Sequence, residues 1–283
     1  MVSPTGKMIQ TGDFRTHYIE EGSGDPVILI HGGGAGADGV SNWTTCLPFF
    51  AARKRAIAVD LVGFGHSDKP DPAGFTYSQD ARNAQLIAFI EALGLEKVSL
   101  VGNSMGGATS LGVAMQRPDL VENLVLMGSA GLSGEPNPAL GAILGYDFTV
   151  EGMRRIIAAL ANPHFTATEE QVQYRYELST QPATRAAYAA TMKWVREHEL
   201  AYPPEEIAKI KTRTLVVHGK DDLVVPVAQA YRFLELLENS SGYLIPNCRH
   251  WAMIEYPEIF SAVTLDFLDG YRRQTADSVT HGR

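Results

Sequence analysis

A serine enclosed by small residues follows directly on a run of apolar residues. Residues 97–101 read KVSLV, and the next six, GNSMGG, place Ser104 between Gly102 and Gly106. A serine at a sharp strand-to-helix turn needs small neighbours two residues away on each side, because larger side chains would collide there. Such a turn exposes the hydroxyl at the positive end of the following helix. The pattern predicts a nucleophilic Ser104, with an ordinary glycine-rich turn capped by serine as the alternative.

A serine hydroxyl is a poor nucleophile that needs a base, and the base needs an acid to orient it. His250 follows the apolar run GYLIP (242–246), and Asp222 follows the run TLVVHG (214–219). Taken singly, Asp222 is typical of a solvated carboxylate in a turn, and His250 of a hydrogen-bonded histidine in a loop. Asp221 is an alternative to Asp222 as the acid. Because the three residues stand in the order Ser–Asp–His, each after a predicted strand, they together predict a catalytic triad.

A third candidate element is the glycine-rich sequence after the apolar run PVILI. Residues 31–34 read HGGG. Glycines there let the backbone approach a reacting centre and offer N–H groups to a developing oxyanion. We expect the amides of Gly33 and Met105 to form a two-donor oxyanion hole. A phosphate-binding or merely flexible loop is the alternative, but the sequence has no G-x-x-x-x-G-K-[ST] pattern and no convincing dinucleotide context.

The elements that must position these residues alternate along the chain. Apolar runs predict strands at 26–30, 55–60, 97–102, 123–128, 214–219 and 242–246. Helical segments intervene, as in 78–93, where Ser78 is a candidate N-cap and Gly94 a candidate C-terminal glycine. Near-continuous apolar strands separated by helices indicate an α/β fold whose mostly parallel sheet is covered on both faces.

The strand pattern stops between residues 134 and 206, where the sequence is helical by period. Its signals are an apolar stripe in 150–160, a capping box of Thr168 with Gln171, and Pro182 at a helix start. A helical insertion predicts a cap over the carboxyl edge of the sheet, where ligands bind in such folds. We expect a core of residues 1–133 and 207–283 interrupted by a cap of residues 134–206.

Charge and composition exclude several classes of protein. The chain has 24 Lys and Arg against 32 Asp and Glu, a net charge of −8, which argues against a nucleic-acid partner. An anionic ligand must then be met by local positive groups. Two cysteines, Cys46 and Cys248, are too few for a disulfide framework or a Cys-rich zinc site. The other histidines show no metal-ligand spacing, so we expect no metal. Without a signal-peptide or membrane-spanning run, we expect a cytoplasmic protein with no membrane partner.

These residues resemble the α/β-hydrolase superfamily across essentially the whole chain. Within it, the sequence is similar to the meta-cleavage product hydrolases of bacterial aromatic-compound degradation, and most similar to the carbazole-pathway, biaryl type. The resemblance rests on HGGGAGADGVSNW (31–43), GNSMGGATSLG (102–112), GKDDLVVP (219–226) and CRHWAMIE (248–255). The chain departs from the family pattern at Ala35, where proline is frequent, and at Tyr176, where tryptophan is common. Both departures leave the substrate subgroup open.

The resemblance implies hydrolysis of a carbon–carbon bond in a 2-hydroxy-6-oxohexa-2,4-dienoate, after ketonisation of the dienol. It implies no cofactor and a homodimer or a higher homo-oligomer. The substituent at the cleaved ketone (phenyl, aminophenyl, hydroxyphenyl or alkyl) stays open, as does the choice between an acyl-enzyme and a gem-diol route. A carboxylesterase or lactonase with the same triad is the alternative. A non-catalytic receptor on this fold would lack a triad member, and here all three are present.

The resemblance also implies which residues bind the anionic dienoate. Arg175 matches the family's carboxylate-binding arginine, although on residue type alone a snorkelling arginine is the more ordinary interpretation. The other residues matched to the substrate site are Asn42, Asn103, Trp251, Gly32 and Gly34. Turn roles for the asparagines and a core role for the tryptophan are the alternatives. Candidates for the wall of the aryl pocket are Ile156, Leu160, Met192 and Trp194.

Overall fold

The computed structural model describes residues 6–134 and 140–270, which form one eight-stranded sheet with helices around it. The strands are β1 (Lys7–Thr11), β2 (Phe14–Glu21), β3 (Pro26–Ile30), β4 (Arg55–Val59), β5 (Val98–Asn103), β6 (Val121–Met127), β7 (Arg213–Gly219) and β8 (Ser240–Ile245). Their spatial order is β1-β2-β4-β3-β5-β6-β7-β8. The pairs β1–β2 and β2–β4 are antiparallel, and the other neighbouring pairs are parallel. The predicted α/β fold is confirmed.

The central strands are buried on both faces of the sheet. Successive side chains of a strand point to opposite faces, yet β5 is buried along its whole length and β3 along all but its first residue. Because β3, β5, β7 and β8 run parallel, their carboxyl ends meet at one edge of the sheet. The loops that follow these four strands are therefore neighbours, and they contain the glycine-rich sequence, Ser104, Asp222 and His250.

The first two strands lie outside the sequence prediction. Strand β1 is mostly exposed, and β2 buries the polar residues Thr16 and His17 rather than an apolar run. His17 is satisfied by Asp60, whose Oδ2 lies 2.8 Å from His17 Nδ1. Polar partners from elsewhere in the chain thus allow a strand without a continuous apolar signal to be buried.

The helices of the described residues are α1 (Gly39–Trp43), α2 (Leu47–Ala51), α3 (Gln79–Ala92), α4 (Met105–Gln116), α5 (Leu140–Leu144), α6 (Val150–Leu160), α7 (Glu169–Thr180), α8 (Pro182–His198), α9 (Pro204–Ile207), α10 (Val227–Leu236), α11 (Ala252–Glu255) and α12 (Pro257–Leu268). Three predicted helix starts are confirmed. Ser78 Oγ accepts from the amide of Ala81, Thr168 and Gln171 form a capping box, and Pro182 opens α8. None of these helices combines the length and apolar character that a membrane span needs.

Helices α5–α9, hereafter the inserted helices, lie between strands β6 and β7. The two ends of the insertion are joined by the backbone, since the amide of Tyr202 donates to the carbonyl of Gly131 at 2.9 Å and a parallel bridge links Gly131 with Ala201. The predicted cap includes residues 135–139, which lie outside the described residues, as do both chain ends (1–5 and 271–283).

Candidate active site

Ser104 stands at a strained turn between β5 and α4. Its φ of 55° and ψ of −116° are rarely adopted by residues with a side chain, and such strain costs about 1–3 kcal/mol. A Cβ at Gly102 would lie 2.4 Å from the carbonyl oxygen of Gly106, and one at Gly106 would lie 2.4 Å from that of Ile30. Larger residues at either position would displace the backbone. The close approach holds the serine hydroxyl clear of the chain at the amino end of a helix.

Asp222 and His250 are in direct contact beside this turn. The Nδ1 atom of His250 lies 2.7 Å from Oδ2 of Asp222, and both side chains are buried. The other carboxylate oxygen, Oδ1, accepts from the amides of Val224 at 2.8 Å and Val225 at 3.0 Å. Burial alone would raise the pKa of Asp222, but His250, His218 and the amide of Val225 hold it below its ordinary value. Asp222 is thus ionised and can orient His250.

Asp221 and His218 do not share this position. The Asp221 side chain is exposed, and its amide donates to the carbonyl of Cys248. His218 Nε2 lies 3.4 Å from Asp222 but is 2.8 Å from the carbonyl oxygen of Val225, which keeps it bonded to the backbone. Within residues 6–134 and 140–270, no three His, Cys, Asp or Glu side chains are grouped so that they could hold a metal ion.

Ser104 and His250 line one small cavity of about 20 Å³, which we call the reaction cavity. Its other lining residues are Gly32, Gly33, Gly34, Ala37, Asn42, Asn103, Leu160, Arg175 and Trp251. The volume holds about one water molecule. Ser104 Oγ makes no hydrogen bond to His250 in this structure, where both residues are described. Hydrogen bonds between a nucleophile and its base often form only when substrate binds. The structure therefore brings the nucleophile candidate and the base candidate to the same space.

The glycine-rich loop lies against the nucleophile turn. A Cβ at Gly33 would lie 3.0 Å from Sδ of Met105, and one at Gly32 would lie 2.8 Å from Oδ1 of Asn103. Neither the amide of Gly33 nor that of Met105 donates to an acceptor within the described part of the chain. Met105 is the first residue of α4, where helical amides have no intrahelical partner. Two unused donors thus flank Ser104.

Arg175 extends from α7 into the same cavity wall and is 3% exposed. Its Nη2 donates to Oδ1 of Asn42 at 2.7 Å, and its guanidinium lies over the ring of Trp251, 4.6 Å from the ring centre. Nη1 is buried and has no hydrogen-bond partner among the described residues. Burial lowers the pKa of Arg175 to about 10, which leaves it charged at neutral pH. A buried cation with one open donor is suited to an anion.

The asparagines continue from Arg175 to the nucleophile turn. Nδ2 of Asn42 is 3.5 Å from Oδ1 of Asn103, and Nδ2 of Asn103 donates to the carbonyl of Met127 at 3.2 Å. These contacts orient both side-chain amides, and the oxygen of Asn42 accordingly faces Arg175. The polar end of the cavity is thus continuous from Arg175 to the residue that precedes Ser104.

Asp38 is a site residue that the sequence interpretation did not single out. Its Oδ2 accepts from the hydroxyl of Tyr174 at 2.5 Å, and its Oδ1 accepts from the amide of Ser41 at 2.6 Å. Burial, and then the charge of Asp60, raises the pKa of Asp38. Tyr174 is the neighbour of Arg175, so this bond fastens α7 to the start of α1. The capping box formed by Asp38 and Ser41 is the sequence signal that marks it.

A larger cavity of about 520 Å³ lies on the far side of Arg175 and Trp251, which line both cavities. Apolar side chains of α1, α2 and α6 contribute to it, among them Val40, Leu47 and Ile157. Of the candidates for the aryl pocket, Leu160 lines the reaction cavity. Trp194 instead stacks on His198 and lies against Arg82 of α3.

The chain is similar to known proteins over most of its length. Residues 25–257 match the family described as alpha/beta hydrolase fold. The chain is 52% identical to the 2-hydroxy-6-oxo-6-(2'-aminophenyl)hexa-2,4-dienoic acid hydrolase of Metapseudomonas resinovorans, over 93% of this chain and 90% of the relative.

Two solved structures are similar over almost their whole length. A serine hydrolase involved in carbazole degradation superposes with a TM-score of 0.87 at 49% identity, over 94% of this chain and 99% of that one. A meta-cleavage product hydrolase from Pseudomonas fluorescens IP01 gives a TM-score of 0.88 at 32% identity, over 94% and 98%. With these identities and coverages, the chain belongs to the meta-cleavage product hydrolases of the α/β-hydrolase fold.

Proposed function

We propose that the protein hydrolyses the carbon–carbon bond next to the ketone of a 2-hydroxy-6-oxo-6-arylhexa-2,4-dienoate. The products are 2-hydroxypenta-2,4-dienoate and an aromatic carboxylic acid. The observation that carries this substrate class is the open Nη1 of Arg175, a buried cation in the same cavity as Ser104. Because the relative at 52% identity is named for a 2'-aminophenyl substrate, we propose an aminophenyl ketone as the first substrate to test.

Ser104, His250 and Asp222 act as nucleophile, base and orienting acid in this proposal. After the dienol ketonises, Ser104 Oγ attacks the ketone carbon while His250 takes its proton. The oxyanion is held by the amides of Gly33 and Met105. The carbon–carbon bond then breaks, the dienolate fragment takes the proton from His250, and the aryl acyl group stays on Ser104. Water, deprotonated by His250, cleaves the ester and releases the acid.

The dienoate carboxylate binds at the Arg175 end of the cavity. Arg175 pairs with it through Nη1 while Nη2 stays on Asn42, and the ring of Trp251 supports the guanidinium. Asn103 and the backbone of Gly32 and Gly34 line the path of the chain toward Ser104. Since the reaction cavity holds only about one water molecule, substrate binding widens it. The wall shared with the 520 Å³ cavity offers the room.

The proposal also covers the roles of the two parts of the chain, its assembly and location, and the absence of a cofactor. Residues 134–206 act as a cap that contributes the carboxylate-binding arginine, while residues 1–133 and 207–283 form the core that contributes the triad. A homodimer or higher homo-oligomer is proposed from the resemblance to the family, and a cytoplasmic location from the sequence pattern. No cofactor takes part, since the reaction needs only acid–base and nucleophilic chemistry.

The competing function is that of a carboxylesterase or lactonase, which uses the same triad. Such an enzyme needs no buried cation for its substrate. The test follows the loss of visible absorbance of phenyl-, 2-aminophenyl- and methyl-substituted ring-fission dienoates, in parallel with hydrolysis of p-nitrophenyl esters. We expect the aryl dienoates to be preferred, and Ser104→Ala to bind them without turnover. Faster ester hydrolysis than dienoate cleavage would replace the proposal with the competing function.

A further inference from the structure

The loop that carries His250 is fastened to the carboxyl end of helix α6. The backbone amide of His250 donates to the carbonyl of Leu160 at 2.9 Å. The guanidinium of the preceding residue, Arg249, donates through Nη1 to the carbonyls of Ala158 at 2.9 Å and Ala161 at 3.1 Å. The carbonyls of Ala158 and Leu160 belong to the last turn of the helix, where no intrahelical donor reaches them, and Ala161 is the residue that ends it. A cation there also complements the negative end of the helix.

Glu255 makes a second connection between the same two segments. Its carboxylate accepts from the amides of Arg249 and Trp251, each at 3.2 Å, which flank His250 on both sides. It also accepts from the amide of Asn162, two residues beyond the end of α6, at 3.0 Å. Burial raises the pKa of Glu255, while these amides act in the opposite direction. One carboxylate therefore spans the His250 loop and the inserted helices.

The two connections converge on one short stretch of α6. Leu160, whose carbonyl is bound by His250, also lines the reaction cavity. Asp222 fixes the His250 ring at Nδ1, but the backbone that carries the ring is bound to residues 158–162 of the insertion. A shift of α6 therefore moves the ring relative to Ser104, which belongs to the core. A displacement of about 1 Å can cost on the order of 10²-fold in rate.

We propose that Arg249 and Glu255 are positioning residues that align His250 with Ser104 only while the end of α6 is seated. The inference rests on the proposed role of His250 as the base. The insertion then does more than cover the site, because its position sets the geometry of the proton transfer. Loosening the connection lowers kcat, while KM changes little since Arg175, on α7, still binds the carboxylate.

The test compares Arg249→Ala and Glu255→Gln with matched controls that lack these contacts. The control for Arg249→Ala is Arg155→Ala, which removes an exposed arginine of α6 that pairs with Asp147. The control for Glu255→Gln is Glu258→Gln, which changes an exposed carboxylate of α12. We expect kcat for the dienoate to fall about 10- to 10²-fold in the two test variants. Arg249→Lys, which keeps one cationic donor, recovers part of the loss. Both controls keep the wild-type rate.

A spectroscopic signal separates alignment from general stability. The proton shared by His250 Nδ1 and Asp222 gives a low-field resonance in the proton NMR spectrum, and we expect it to broaden in the test variants but not in the controls. Unchanged kcat and an unchanged resonance in folded Arg249→Ala overturn the proposal, as does a rise in KM at constant kcat. If Glu255→Gln does not fold, Arg249→Ala decides. If the wild type cleaves no dienoate, the proposed substrate is wrong, and the resonance still tests the coupling.

Discussion

Arg175 and Asn42 form a hydrogen bond of 2.7 Å that holds one terminal nitrogen of the guanidinium, while the other has no partner among residues 6–134 and 140–270. The pair joins α7 of the insertion to α1 of the core. It fixes the direction in which the second donor points, and no carboxylate of the described part of the chain forms a direct salt bridge with the buried charge. The arrangement is suited to a ligand that brings its own negative charge.

Replacing Arg175 is expected to affect an anionic substrate more than a neutral one. We expect Arg175→Gln to lower kcat/KM for an aryl dienoate by on the order of 10²-fold, because the substrate carboxylate loses a buried charged partner. Hydrolysis of a neutral p-nitrophenyl ester stays close to the wild-type rate, which parallel steady-state assays measure. Arg185→Gln, an exposed arginine of α8, serves as the control. Equal losses on both substrates would instead make Arg175 a structural residue.

The adjacent residues Asp221 and Asp222 differ in their expected contribution to kcat. Asp222→Asn removes the ionised partner of His250 Nδ1, and we expect kcat to fall on the order of 10³- to 10⁴-fold. Asp221→Asn changes an exposed side chain and leaves kcat nearly unchanged. Steady-state assays of both variants, with circular dichroism as a check on folding, rank them. The reverse order would reassign the acid to Asp221.

The hydroxyl of Tyr174 contributes to stability through Asp38. Tyr174→Phe leaves one oxygen of a buried carboxylate without its donor, so we expect a loss of about 1–3 kcal/mol in the free energy of unfolding. Urea denaturation measures it. Tyr176→Phe, two residues along the same helix, is the matched control. The hydroxyls of Ser179 and Thr180 donate to the backbone carbonyl of Tyr176, which this substitution leaves in place. A loss of the same size in the control would rule out the Asp38 contact as the cause.

Stability should fall as the pH drops through the histidine range. Nε2 of His31 accepts from the amide of Leu61 at 2.9 Å, so the ring is neutral and its Nδ1 proton faces the carbonyl of Gly32. Burial lowers the pKa of His31 and of His218. The unfolded chain, with a histidine pKa of about 6.5, therefore binds more protons below that pH. The stabilisation is complete above about pH 6.5 and is lost as the pH falls toward the folded pKa values.

Urea midpoints between about pH 7.5 and pH 5.5 measure this effect. We expect the midpoint to decrease toward acid, and His31→Gln to make the decrease shallower. His164→Gln, an exposed histidine, should leave the slope unchanged. A constant midpoint over this range in the wild type would contradict the assignment of buried neutral histidines.

The sequence predicts the central strands of the sheet better than it predicts the edge of the sheet. The residues around Ser104, Asp222 and His250 each follow a central strand, and such strands are readable because burial on both faces demands apolar side chains throughout. Strand β2 is not readable in that way, since it buries His17 against Asp60 from a distant segment. Pairing of this kind depends on tertiary contacts that composition and period do not encode.

The same reason explains why two residues near the candidate site were missed. Glu255 lies within the motif CRHWAMIE, but nothing in its type or spacing reveals that it bonds to Asn162 across the molecule. Asp38 is readable as a helix cap, yet its contact with Tyr174 arises only when the insertion folds over the core. Contacts between segments separated by a hundred residues are the part that the sequence alone leaves unspecified.

The insertion departs from the sheet and returns to it between two adjacent parallel strands. Five residue pairs, from Asn123 with Arg213 to Met127 with Val217, hold β6 against β7, and Gly131 meets Ala201 just beyond them. The ends of the insertion are thus kept side by side whatever its length, and doubling a loop adds only about 0.6 kcal/mol of closure entropy. The segment that holds the proposed carboxylate-binding Arg175 can therefore be exchanged or lengthened while the proposed triad residues of the core keep their places. The contacts that join the insertion to the core, those of Arg249 and Glu255 as well as Arg175 with Asn42 and Tyr174 with Asp38, must then be re-established.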